Sequence, residues 1–224
     1  MDVLARLDEA RRETNVLEHP FYQRWSRGEL SAGELSLYAG QYRHAVMALA
    51  DASSRAAAAA SPAQRPGLAR HAAEEADHVG LWDRFAAETQ AREAENHRSA
   101  ATQSGGSPLH QTAGCVAAWT AGGDLLEHLA VLYAVEASQP EISTTKLEGL
   151  VDHYGYTPEG PAVEYFELHE RLDVEHSREA AELIRELLAG REDSAQASER
   201  MVAAARAALA ANWELLSGVE AAAG

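Results

Sequence analysis

Cysteine occurs once in the 224 residues, at Cys115, which excludes an intrachain disulfide framework and fits a reducing compartment. No stretch reaches about 18 uninterrupted apolar residues, and Met1-Asp2-Val3-Leu4-Ala5-Arg6 has no basic segment leading into an apolar run. Neither a membrane span nor a secretory signal is expected, and a cytoplasmic location is. Positive charge is also scarce: 19 Lys and Arg stand against 35 Asp and Glu, for a net charge of -16 and a pI near 5.0. Such a field repels phosphate backbones and anionic lipid, so neither nucleic acid nor a membrane surface is expected as a partner. Runs of Val, Ile and Thr are nearly missing, which argues against sheet.

What remains is rich in Ala, Leu, Glu and Arg, the residues that favour helix. The length suits one all-α domain over residues 1–224. Apolar residues at helical spacing predict helices over 2–14, from Phe21 to near Gly28, from Ser31 to about residue 60, over 68–87, 111–120, 125–137 and 143–154, on to Ala189, and over 194–216. Ser31 with Glu34 is a capping-box pattern, and Asp124 reads as an N-cap. The polar stretch around Ser104-Gly105-Gly106-Ser107-Pro108 reads as a surface loop spanning about 90–110.

Three of these helices carry chemistry. His169, Asp173 and His176 lie at offsets of zero, four and seven, within an arc of roughly 60° on an α-helix. Imidazole and carboxylate together suit iron, manganese or zinc, although charged residues at this spacing also occur on plain solvated faces. Glu75-Ala76-Asp77-His78 is a Glu-x-x-His arrangement of the kind helical bundles use for paired metal ions, with Glu74 as an alternative acid and His71 seven residues before His78. Glu136 sits inside an apolar helix, where an unpaired carboxylate is too costly to leave unexplained. Glu75, His78, Glu136, His169, Asp173 and His176 make six candidate ligands. That number suits two divalent ions with open positions better than one zinc ion.

Glu75-x-x-His78, the segment from Leu132 to Ile142, and His169-x3-Asp173-x2-His176 resemble the ligand signature of the haem-oxygenase-like dimetal oxidases, whose wider superfamily includes the TenA thiaminases and the PQQ-synthesis oxidase. Within it the closest resemblance is to the CADD-type 4-aminobenzoate synthases. His19-Pro20-Phe21-Tyr22, Leu81-Trp82-x-Arg84-Phe85 and Lys146-Leu147-Glu148-Gly149-Leu150 support it. The resemblance implies a seven-helix bundle holding two iron ions, or one iron and one manganese, that activates O2 with electrons from an external reductant. It further implies self-sacrificing synthesis of 4-aminobenzoate, a folate precursor, in which a tyrosine supplies the ring and a lysine is implicated as amino donor. Tyr22 and Lys146 stand at those places, with Tyr38 and Tyr42 as further candidates. The segment between the acid and His78 is shorter than in CADD-type members, which leaves Glu74 and Glu75 both open as ligands.

Read without the resemblance, Tyr22 beside Phe21 and Trp25 is a packed aromatic, and Lys146 near a helix start is solvent-exposed. Other functions stay in view. A dimetal oxidase or N-oxygenase would act on an external small amine, amino acid or fatty acid. A thiaminase-like hydrolase would need Cys115 as nucleophile, with no evident base beside it. A haem oxygenase would need a basic propionate pocket that so acidic a chain lacks. A non-catalytic regulator or partner-binding protein would tolerate loss of all six ligands. The substrate is expected to be a small molecule or the chain itself, and Leu209 and Trp213 are candidates either for a homodimer face or for core.

Overall fold

A computed structural model describes residues 2–96 and 107–223. Along the chain run α1 (Val3–Glu13), a 3-10 turn (Val16–Glu18), α2 (Pro20–Ser26), α3 (Ala32–Ala59), α4 (Arg65–Asn96), α5 (His110–Thr120), α6 (Leu125–Glu136), α7 (Gln139–Asp152), α8 (Glu164–Leu188) and α9 (Ser194–Ala223). There is no strand among the described residues. The all-helical architecture is the expected one, with nine α-helices among the described residues where seven were expected; α2 is only seven residues long.

The helix ends follow local chemistry. Ser31 and Glu34 form the reciprocal capping box that opens α3, and the Asp124 carboxylate accepts from the Glu127 backbone N–H at 3.1 Å to open α6. At α2 the N-cap is His19, whose Nδ1 accepts from the Phe21 N–H at 3.1 Å while its Nε2 meets Ser217 Oγ on α9 at 3.1 Å. Gly190 ends α8 in the left-handed region, at φ +77°.

Three boundaries differ from expectation, the simplest being α9, which runs seven residues past 216 to Ala223. The helix expected to stop near Ala87 continues to Asn96, because Gln90-Ala91-Arg92-Glu93-Ala94-Glu95 are all good helix formers with no glycine or proline among them. Arg92 pins that extension by lying over the Tyr156 ring at 3.9 Å and donating to the Gly155 carbonyl. The expected loop therefore does not begin at residue 90, and its residues 97–106 lie outside the described residues. Pro140 does not separate two helices. It sits in the first turn of α7, where its missing N–H costs nothing, so α7 starts at Gln139 instead of Ser143.

α3 and α4 lie side by side, α8 packs on α4, α6 and α7, and α9 closes over α1, α5 and α6. One core is aromatic and gathers Phe21, Tyr22 and Trp25 of α2, Tyr38 and Tyr42 of α3, Trp82 and Phe85 of α4, Trp119 of α5 and Phe166 of α8. Each fully buried large side chain of this kind contributes about 1.5–3 kcal/mol. A second core joins α1, α6, α8 and α9 through Leu7, Leu129, Ile184 and Met201. Leu209 belongs to that core, and Trp213 packs edge-on against the His19 ring, 4.7 Å between centroids. No helix of the described residues is long and apolar enough to cross a membrane.

Candidate metal centre and tyrosine pocket

On α4, residues 71, 75 and 78 recur at offsets of zero, four and seven and so point the same way. They face His169, Asp173 and His176 of α8, while Glu136 enters from the last turn of α6. All six expected ligands converge on this one place and are buried; Glu136 and His169 have no exposure at all. His78 Nδ1 lies 3.2 Å from Glu75 Oε1, and His176 Nδ1 lies 3.5 Å from Asp173 Oδ1. Glu75 is common to two clusters of potential ligand atoms, one with His78 and His169 and one with His71 and His176.

Sequence reasoning left His71 outside the ligand set, yet its Nε2 lies 3.1 Å from Glu136 Oε1 and its ring 4.1 Å from that of His176. The signal was its position seven residues before His78, which matches the His169 to His176 spacing. Of the two acids left open, Glu75 points inward. Glu74 is 40% exposed and accepts from His176 Nε2 at 3.2 Å, orienting that ring. His169 is oriented in the same way by Nδ1 against the Tyr165 carbonyl at 2.7 Å. In both residues the outer nitrogen is held and the inner one is free.

Ten inward atoms of these seven side chains are buried with no hydrogen-bond partner: His71 Nε2, both oxygens of Glu75, His78 Nδ1, both oxygens of Glu136, His169 Nε2, both oxygens of Asp173 and His176 Nδ1. Buried polar atoms are ordinarily satisfied, so such a concentration calls for a common acceptor of lone pairs. Imidazole nitrogen and carboxylate oxygen are the donor set that suits divalent transition metals, and these residues, with Glu75 common to both clusters, are the ones that would hold such ions. The metal-free electrostatics are correspondingly uneven. Burial pushes Asp173 up to about 6. Burial pulls His176 down, but Asp173, Glu136 and Glu75 outweigh it and raise the imidazole to about 9. Burial lowers His169.

A cavity of about 290 Å³ ends at His71 and His176. Leu68, Leu129, Leu132 and Leu183 wall it, and Glu179 and Glu186 stand among its lining residues.

Beyond the ligands begins the aromatic core. Tyr165 stacks on His169 at 3.9 Å and meets Trp82 at 4.8 Å; Trp82 contacts Tyr42 at 5.3 Å and Tyr38 at 6.0 Å; Tyr38 meets Tyr22 at 6.1 Å, centroid to centroid. Rings therefore run without a gap from His169 to Tyr22. The Tyr22 and Tyr38 hydroxyls are 2.8 Å apart, and burial raises both phenols well above their usual range. Among these rings lies Lys146 of α7, which is not solvent-exposed as its place near a helix start suggested, but 2% exposed. Its Nζ is 4.8 Å from the Tyr42 ring centre, 5.0 Å from Tyr22 and 5.4 Å from Tyr38. Burial pushes its ammonium down to about 7. A substantial fraction is thus the neutral, nucleophilic amine at neutral pH. Cys115 is buried in this core, and burial drives its thiol well above the ordinary range, which keeps it protonated and unsuited to nucleophilic attack.

The family model for iron-containing redox enzymes matches residues 36–213. The 4-aminobenzoate synthase of Chlamydia muridarum is 32% identical over 205 residues, covering 87% of this chain and 81% of its own, and that of Nitrosomonas europaea is 26% identical, covering 96% and 89%. Among solved structures, a TenA homologue from Pseudomonas syringae superposes with a TM-score of 0.78 at 16% identity, over 98% of this chain and 93% of its own. A domain with a haem-oxygenase-like fold from Shewanella denitrificans gives 0.77 at 17%, over 99% and 93%. With this fold, and with the family match spanning most of its length, the chain belongs to the iron-containing redox enzymes of haem-oxygenase-like fold and is an oxidoreductase.

Proposed function

We propose that the protein is a non-haem dimetal oxygenase that makes 4-aminobenzoate from its own Tyr22, with Lys146 supplying the nitrogen and with dioxygen and an external reductant consumed. The observation that carries this reading is the burial of Lys146 Nζ 5.0 Å from the Tyr22 ring centre. A lysine so deep needs a reason, since lysine is almost never fully buried unless paired. The relatives named 4-aminobenzoate synthase support the product.

Two ions of iron, or one of iron and one of manganese, held by Glu75, His78, Glu136, His169, Asp173 and His176 would supply the oxidising power for this reaction when bound. The chain's own residues do the rest. Tyr165 fixes His169 through its carbonyl and stacks on its ring, linking the ligands to the aromatic core. Trp82, Tyr38 and Tyr42 exclude water around Lys146 and hold it against Tyr22. Tyr38 Oη is placed to exchange a proton with Tyr22 Oη, at 2.8 Å. Low polarity keeps the Lys146 amine in part neutral, with its lone pair free of a proton.

A second reading, turnover of an external small amine, amino acid or fatty acid, is favoured by the cavity that ends at His71 and His176. One experiment separates the two. Protein loaded with iron and manganese is given reductant and dioxygen, and both the intact chain mass and the small-molecule fraction are measured. Release of 4-aminobenzoate with a matching loss of chain mass, abolished in Tyr22→Phe and in Lys146→Met, is the expected result. An unchanged chain beside an oxidised added compound supports the second reading and refutes the first.

A further inference from the structure

α4 and α8 carry the same pattern, His-x3-acid-x2-His: His71, Glu75 and His78 on one helix, His169, Asp173 and His176 on the other. The helices meet antiparallel at the site, because His71 faces His176 with ring centroids 4.1 Å apart while His78 faces His169 at 4.6 Å. Each ring pair therefore forms a cluster with Glu75, which is common to both. The geometry points to His71 as a seventh metal ligand, standing with His176, Glu136 and the shared Glu75 at a second position, as His78, His169 and Glu75 stand at the first. This inference rests on the dimetal reading of the site.

Three observations carry it. His71 is 8% exposed, and its Nε2 is buried without a hydrogen-bond partner, as are both Glu136 oxygens. Nε2 and Glu136 Oε1 are nevertheless 3.1 Å apart, so the two approach each other without the alignment of a hydrogen bond, as two ligands of one ion do. Finally, Nε2 of His71 shares a cluster no wider than 4.8 Å with ligand atoms of Glu75 and His176. With six ligands the second position would have one imidazole against two in the first. With His71 both positions have two imidazoles besides Glu75.

The alternative is that His71 only hydrogen-bonds Glu136 and braces it. Manganous ion alone separates the two, titrated into metal-free protein with free ion counted by EPR and the bound spectrum recorded. Wild type is expected to take two ions and give an exchange-coupled signal. His71→Leu is expected to keep the first ion, to bind the second about tenfold more weakly or worse, and to give an uncoupled signal. His71→Gln, which can still donate a hydrogen bond to Glu136 but is a poor ligand, is expected to behave like His71→Leu, and it stands in for that variant if the leucine protein fails to fold by circular dichroism. Two ions with affinities within twofold of wild type and a coupled spectrum in His71→Gln would overturn the assignment of His71 alone. Fewer than two ions in wild type would overturn the dimetal reading beneath it.

Discussion

Trp25 of α2 donates its indole N–H to the Lys146 carbonyl of α7 at 3.2 Å, so the helix that carries Tyr22 is fastened to the helix that carries Lys146 at the lysine itself. The contact is so close that Gly149, one turn on, has no room for a side chain: a Cβ there would come within 2.6 Å of the Trp25 ring.

Gly149→Ala therefore opposes two effects, a gain in helix propensity of about 1 kcal/mol and an overpacking cost of about 1–3 kcal/mol. The net expectation in urea melts is destabilisation with loss of 4-aminobenzoate yield. Gly80→Ala on α4, where a Cβ meets nothing within 4 Å, is the control and should stabilise. Equal and stabilising effects at both positions would show that α2 and α7 can part without cost.

Lys146 makes stability depend on pH. Its folded value, about 7, lies below the value of an exposed lysine, so between those limits the unfolded chain binds more protons than the folded one. Stability should rise as pH goes from 7 towards 10. Lys146→Met should be more stable than wild type at pH 7, on the order of 3 kcal/mol after allowing for the attraction of the surrounding rings, and the advantage should shrink as pH rises. A difference that does not change with pH in denaturant melts would mean that the amine is protonated in the fold.

Glu75 and Glu74 should separate cleanly although they are neighbours. Glu75→Gln removes the carboxylate common to both ligand clusters and should leave the protein unable to retain two ions through gel filtration. Glu74→Gln alters contacts with the outer nitrogen of His176 and with Arg70 but with no inward atom of the site, and should retain both, with affinity reduced by about tenfold at most. The reverse order would exchange their roles.

Tyr38→Phe leaves the Tyr22 hydroxyl buried without its partner, at a cost of about 1–3 kcal/mol in thermal or chemical melts. Metal content should be unchanged, since Tyr38 touches no ligand, while the yield of 4-aminobenzoate falls. Unchanged yield would remove Tyr38 from the reaction.

The helices were legible because their signals are local: the Ser31 and Glu34 box, the Asp124 cap and the apolar spacing all act within a turn or two. The all-helical class followed from the shortage of β-branched runs. The ligand stripe on α8 could be read for the same reason, as offsets on one helix. The pairing of α4 with α8, which makes His71 face Glu136, is tertiary, and from sequence His71 was a spacing without a partner. Lys146 is picked out in the sequence by the resemblance alone, because composition says nothing about where α7 lies; only the packing of α2, α3 and α4 around it turns a common surface residue into a buried amine. The end of α4 is hidden in the sequence because the run from Gln90 to Glu95 is polar as well as helix-forming, with no apolar stripe to separate helix from loop.

The most direct measurement uses protein made with ring-carbon-labelled tyrosine and nitrogen-labelled lysine, purified, loaded with iron and manganese, and given reductant and dioxygen in unlabelled buffer. The released 4-aminobenzoate should carry both labels, in an amount no greater than one per chain, with the missing mass mapped to Tyr22. Unlabelled product, or more than one equivalent from each chain, would contradict the central claim and make the protein a catalyst acting on an external substrate.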